Sequence, residues 1–200
     1  MEIDFESLRN LMKSNRTVRR FNEKKEVSED TLFSLVELTR YCPSGRNAQP
    51  LRYAIINSKE EKQKIFPLLK WAGYFKEWDG PEESERPAAY IIQFLDTRYG
   101  KDCLCDDGLQ LEAITLGMHT LGLAGCIIKA FNAIEISKIF NFGERYVPRY
   151  VLALGYPVEK VKLEEMSGNE DADYKYYRSP DGMHHVPKRP LSELILKKLL

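Results

Sequence analysis

A chain of 200 residues is long enough for one domain with a sizeable core. Its 30 Lys and Arg balance 30 Asp and Glu, which argues against a general polyanion binder such as a nucleic-acid-binding module. The four cysteines, Cys42, Cys103, Cys105 and Cys126, have neither zinc-knuckle nor C-x-x-C spacing, and no distant pair suggests a disulfide framework. The start "MEIDFESLRN" lacks signal-peptide character and no apolar run approaches a membrane span, so a soluble, cytoplasmic protein is expected, with no membrane and no nucleic-acid partner.

In chain order, the first helix is expected over about Asp4 to Ser14, with Phe5, Leu8, Leu11 and Met12 on one stripe. Ser28 caps a second helix running to about Arg40, stopped ahead of Cys42-Pro43. "RYAIINS" (Arg52 to Ser58) reads as a strand, and Ser58 with Glu61 opens a helix toward Trp71. "AAYIIQFLD" (Ala88 to Asp96) is a continuous run dominated by apolar residues, typical of a strand buried on both faces. Asp106 and Asp107 favour the start of a long helix, Gly108 to Leu121, on which His119 packs. "GCIIKAF" (Gly125 to Phe131) is a short strand, Asn132 and Glu135 cap a helix through Phe140, and "RYVLALGYP" (Arg149 to Pro157) is a last core strand. Val158 to Pro190 reads as a long irregular segment, of the kind that carries function or wraps a partner. Leu191 to Leu200 reads as an apolar helix or a subunit-clasping tail. The irregular interleaving of helices and strands gives an α+β fold.

Three segments carry chemistry. "SNRTVRRF" gathers Arg16, Arg19 and Arg20 around Thr17, a donor set suited to phosphate and equally to a basic helix end. "CPSGRNAQPLRY" (Cys42 to Tyr53) is a donor-rich ordered loop, or a plain helix-to-strand connector. "VPKRPLSEL" holds Lys188 and Arg189 stiffly between prolines; alone it is an ordinary surface dipeptide. Cys103 and Cys105 read as structural thiols, since Asp106 and Asp107 oppose thiolate formation. His184-His185 has no identifiable companion ligands, so a loop role is expected and no metal site. The aromatic stretch "WAGYFKEWDGPEE" (Trp71 to Glu83) either roofs a substrate pocket or packs between helices.

Taken in order with "GLAGCIIKAF", "VLALGYP" and "GMHHVPKR", these segments resemble the nitroreductase family of flavoproteins over essentially the whole chain. No P-loop is present and no G-x-G-x-x-G follows a strand, which argues against a Rossmann reading. The resemblance implies a nitroreductase-like fold in which helices flank a central, mostly antiparallel sheet. It implies one domain over 1–200, a domain-swapped-style homodimer whose 158–200 tail wraps the partner, and one FMN at each end of the interface. Arg16 and Thr17 would meet the FMN phosphate and ribityl chain, and Arg19 the pyrimidine edge. Ser44, Gly45, Arg46 and Asn47 would cover the flavin from the partner subunit. Ile127, Ile128, Lys129 and Ala130 would run beside the ring, and Lys188 and Arg189 would complete the phosphate clamp. Arg19 and Lys129 are then flavin tuners, with no catalytic side chain required.

The implied reaction moves hydride from NADPH or NADH through the flavin to a small electron-poor acceptor, such as a nitroaromatic or quinone, by a ping-pong mechanism. A dehalogenase or flavin-fragmenting enzyme of the same fold, or a flavin-binding regulatory protein with weak turnover, is the alternative. Three positions depart from the family pattern: Asn15 where an arginine commonly begins the motif, Leu51 where tryptophan is common, and Lys129 where the residue is often acidic or small.

Overall fold

A computed structural model describes residues 4–167 and 173–199. It divides into two compact units, Met1–Trp71 with Asp79–Val158, and Ala72–Trp78 with Glu159–Leu200.

The larger unit is built on a four-stranded antiparallel sheet of order β1-β2-β4-β3, from β1 (Leu51–Ile56), β2 (Ala89–Asp96), β3 (Ala124–Ile128) and β4 (Tyr146–Gly155). Every residue of β2 is buried, Gln93 and Asp96 included, as in a strand covered on both faces. Ala89 and Ile91 of β2, with Leu152 and Leu154 opposite on β4, form one core face. Against them pack Leu32 and Leu35 of α2 (Glu29–Glu37) and Leu111, Ile114 and Met118 of α4 (Asp106–Thr120). On the alternate parity, Phe94 meets Phe140 at the end of α5 (Ala133–Phe140).

The caps follow the sequence. Ser28, Ser58 and Asn132 each accept from the backbone N–H three residues on. Asp4 does the same for α1 (Phe5–Ser14), a helix with no buried residue. Other boundaries move. The helix opened by Ser58, α3 (Lys59–Ile65), does not reach Trp71, because Pro67 tightens its end into a single 3₁₀ turn. α4 begins two residues early, at Asp106, and β4 begins at Tyr146 instead of Arg149. The β2–β4 ladder slips where Gln93 faces Tyr150 and Phe94 faces Pro148, leaving Arg149 as the extra residue of a bulge.

The smaller unit corrects the expectation of an irregular tail. β5 (Val161–Glu165) and β7 (His184–Lys188) pair in parallel, and β6 (Tyr177–Arg178) pairs antiparallel to β7. His184 is therefore a buried strand residue, flanked by the rings of Phe75 and Tyr176, and not a loop residue. The expected C-terminal helix reduces to one turn, α6 (Leu191–Leu194). No helix among the described residues is long and apolar enough to cross a membrane.

Candidate functional site

Arg16 follows α1 and turns its guanidinium back onto the helix end, donating from Nε to the Asn15 carbonyl (2.5 Å) and from Nη2 to that of Met12 (2.7 Å). Cations are favoured there by the exposed carbonyls of a helix C-terminus. Asn15, the departure from the family pattern, donates to Thr115 Oγ1 on α4 at 3.0 Å, so this position ties α1 to α4. Beyond it the chain straightens: Thr17 bridges Gly125 in parallel, and the Val18 N–H donates to the Gly125 carbonyl at 2.9 Å. Arg19 is buried, and Arg20 pairs through two nitrogens with Glu85. The arginine segment thus divides: Arg20 fastens the core, while Arg16 to Arg19 lies along the outer edge of β3.

That edge explains the exposure of Ile127. β3 ends the sheet, and the Gly125 carbonyl points outward to Val18. Strand alternation puts the Ile127 N–H and C=O on the same outer side. The Ile127 side chain is 40% exposed between buried Cys126 and Ile128. Lys129, next outward, donates to the Arg149 carbonyl at 3.0 Å and lies over the Tyr150 ring. The Ala130 carbonyl accepts from Lys70 N–H.

The Ser44–Asn47 loop is held by α4. Ser44 Oγ donates to Asp106 Oδ2 at 2.5 Å, and the Gly45 N–H donates to Oδ1 of the same buried carboxylate at 3.0 Å. Ser44 Oγ also accepts from Gln49 N–H, closing the loop on itself. Arg46, Asn47 and Gln49 all adopt left-handed φ, at 54°, 55° and 47°. Strained conformations of this kind persist where surrounding bonds fix them, and they cluster at ligand sites. Asp106 was expected as a helix-start residue that opposes thiolate formation nearby; its role as anchor is long-range and has no local signature. Its neighbour Asp107 accepts from Arg149 Nη2 at 2.9 Å. Burial opposes ionisation of Asp107, but bonds from Arg149, Cys103 and Gly108 outweigh it and leave the carboxyl below its ordinary value. Burial, reinforced by the bond to Asp107, pushes the Cys103 thiol up, consistent with a structural thiol. Among the described residues no group of three His, Cys, Asp or Glu could hold a metal.

In the smaller unit, the Lys188 carbonyl accepts from Met166 N–H at 2.8 Å, and Arg189 donates to Glu193 at 2.7 Å. The aromatic stretch is shared out. Trp71 is buried in the larger unit beside Phe66, whereas Phe75 and Trp78 pack in the smaller unit, each against the Arg178 guanidinium.

Comparison with known proteins gives these features a family. Residues 12–97 match the model described as the nitroreductase family, a span that includes the arginine segment and the Ser44–Asn47 loop. YdgI of Bacillus subtilis strain 168, named as a candidate NAD(P)H nitroreductase, is 34% identical over an alignment covering 72% of this chain and 86% of YdgI. The chain belongs to the nitroreductase family. A protein of Thermotoga neapolitana named iodotyrosine deiodinase is 25% identical, with 75% of this chain and 88% of that protein covered. A candidate nitroreductase of Exiguobacterium sibiricum, crystallised with FMN, shares the fold at a TM-score of 0.68 and 20% identity, covering 99% of each chain.

Proposed function

We propose that the protein is an FMN-dependent oxidoreductase that uses NADPH or NADH to reduce a small electron-poor acceptor, such as a nitroaromatic or quinone, in a ping-pong cycle. The observation that carries this reading is the outer edge of β3, where the Thr17–Gly125 bridge stops and an exposed Ile127 with outward-facing backbone follows. A flat, hydrogen-bonding ring system needs such an apolar ledge with backbone donors and acceptors beside it. When bound, FMN supplies a centre that takes hydride from the nicotinamide and passes two electrons to the acceptor. Arg16 and Thr17, with Lys188 and Arg189, offer the charged and neutral donors that a phosphate and ribityl chain require. Arg19 supplies positive charge at the pyrimidine edge, where charge accumulates on reduction, and Ile127, Ile128, Lys129 and Ala130 line the ring. Arg19→Leu is expected to lower the flavin midpoint potential in a redox titration of FMN-saturated protein; an unchanged potential removes Arg19 from this role.

The protein acts as a cytoplasmic homodimer in which Ser44, Gly45, Arg46 and Asn47 of each chain cover the other chain's flavin and the 158–200 tail wraps the partner. An apolar face supports this reading. Phe5, Leu8 and Met12 of α1 and Leu109 of α4 are at least two-fifths exposed, and a groove beside them is lined by Leu11, Leu38, Leu116 and Leu121. Leu191, Leu194, Leu196 and Leu199 in the tail are each about two-thirds exposed or more. A second copy of this chain is the occupant that such extended apolar surface fits. The deiodinase-named relative favours a second reading, reductive dehalogenation on the same flavin. Steady-state oxidation of NADPH and NADH with nitroaromatic, quinone and halophenol acceptors separates the two; flavin binding without turnover overturns both.

A further inference from the structure

At the end of β2 three guanidinium groups converge on one carboxylate. The Asp96 side chain has no exposed surface. Arg98 grips it with Nε at 3.1 Å from Oδ1 and Nη2 at 2.8 Å from Oδ2. Arg145 repeats the grip, with Nε at 3.0 Å from Oδ1 and Nη2 at 2.8 Å from Oδ2. Arg52 of β1 stands off, its Nη2 3.9 Å from Oδ2, while its Nη1 donates to the carbonyls of Gln49 and Leu51. The register explains the convergence. Leu51 pairs with Leu95 and Asp96 with Tyr146, so Arg52 of β1, Arg98 just after β2 and Arg145 just before β4 meet at the same end of the sheet.

Three positive charges meet one negative charge, and no second carboxylate pairs with these arginines among the described residues. One buried ion pair would need one arginine, so the surplus of two is what requires explanation. The guanidinium groups are also fixed in advance. Tyr99 lies 5.5 Å from Arg52 and 5.4 Å from Arg98, and Tyr146 lies 4.7 Å from Arg145. Yet the three side chains remain 41%, 53% and 38% exposed, and Nη1 of Arg98 and of Arg145 makes no hydrogen bond to the described residues. A pre-set, partly exposed array of guanidinium edges is the geometry that binds oxyanions without an ordering cost.

We propose that Arg52, Arg98 and Arg145, seated on Asp96, form a binding site for the phosphate dianion of a small molecule. A carboxylate ligand would carry one charge and two oxygens, whereas a phosphate matches both the surplus of two and the three guanidinium edges. Asp96 keeps the arginines together: bonds from Arg145 and then Arg98 hold its carboxyl far below the usual range, so it stays ionised. The source is either free phosphate or a phosphomonoester on a nucleotide. This assignment does not depend on the flavin reading, and none of its residues belongs to the proposed FMN set.

Isothermal titration of the full chain in excess FMN, with inorganic phosphate, 2′-AMP and adenosine, tests it. Phosphate and 2′-AMP are expected to bind saturably and adenosine not at all. Arg52→Gln leaves both bidentate grips on Asp96 intact and gives up the bonds to the Gln49 and Leu51 carbonyls, so a folded protein with a modestly lower thermal midpoint is expected, with at least tenfold weaker phosphate binding. Arg98→Gln should weaken it similarly, and the Lys188→Ala/Arg189→Ala double variant should not. A 2′-AMP affinity well above that of inorganic phosphate identifies a nucleotide source, and equal affinities identify the free anion; both retain the site. No binding by the wild type, binding indifferent to Arg52→Gln and Arg98→Gln, or binding lost only in the Lys188/Arg189 variant overturns it.

Discussion

Ser44 and Asp106 are joined by a 2.5 Å hydrogen bond across 62 residues of chain, and the Gly45 N–H completes the grip on the same carboxylate. This pair makes the start of α4 the foundation of the loop proposed to cover the flavin. Asp106→Ala removes both acceptors from a buried position. Losing a bond to a charged group typically costs about 1.5–3 kcal/mol, so a fall in urea-denaturation stability of that size is expected. Asp106→Asn keeps an acceptor for Gly45 N–H and should lose clearly less.

Gly125 sits where the arginine segment meets β3. A Cβ there would lie 2.7 Å from the Ala153 carbonyl oxygen and 2.7 Å from Met118 Cε, and the backbone atom cannot move aside cheaply. Gly125→Ala should therefore destabilise by about 1–3 kcal/mol, as overpacking does. Gly108 in α4 has nothing within 4 Å of the added atom, so Gly108→Ala should stabilise by about 0.5–1 kcal/mol through helix propensity. Paired chemical denaturation curves check the opposite signs.

Glu164 sets the acid limit of the smaller unit. Hydrogen bonds from His185 and then Tyr177 hold its carboxyl at about 2 against an ordinary 4.5. A depressed folded value means that the stabilisation is complete above 4.5 and is lost as pH falls toward 2. Wild-type thermal midpoints should drop through that window, and Glu164→Gln should flatten the drop. Asp96 shifts in the same direction in both proteins, so the difference curve isolates Glu164.

Leu121 projects from the C-terminal end of α4 with 51% of its surface exposed. Leu121→Asp should leave the single chain folded while placing a charge in the proposed subunit interface. Sedimentation at micromolar concentration is expected to show dimer for the wild type and monomer for the variant. A wild type that is monomeric when loaded with FMN contradicts the interface.

Local signals were readable. Ser28, Ser58 and Asn132 each announce a helix with an acidic residue following, and the largely apolar run of β2 is typical of a strand covered on both faces. What was hidden depends on distance. Asp96, Arg98, Arg145 and Arg52 are ordinary charges until the sheet register assembles them, and the extra residue that turns Arg149 to Asp107 appears only as a slip between paired strands. The tail misled because its strands are short: β6 has two residues, and the Val161, Lys162, Leu163, Glu164 alternation of β5 is too brief to mark a strand on its own. The Ser44–Asn47 loop and the arginine segment were legible as segments. Their separate attachments, to Asp106 and to Gly125, were not.

The visible absorption spectrum of the purified protein tests the central claim most directly, with the Lys188→Ala/Arg189→Ala variant beside it. The account predicts flavin bands in the wild type, or their appearance on titration with FMN. In the variant it predicts loss of bound flavin with an unchanged circular dichroism spectrum, since each removed contact to a phosphate is worth about 1.5–3 kcal/mol. A colourless wild type that fails to take up added FMN would contradict the account.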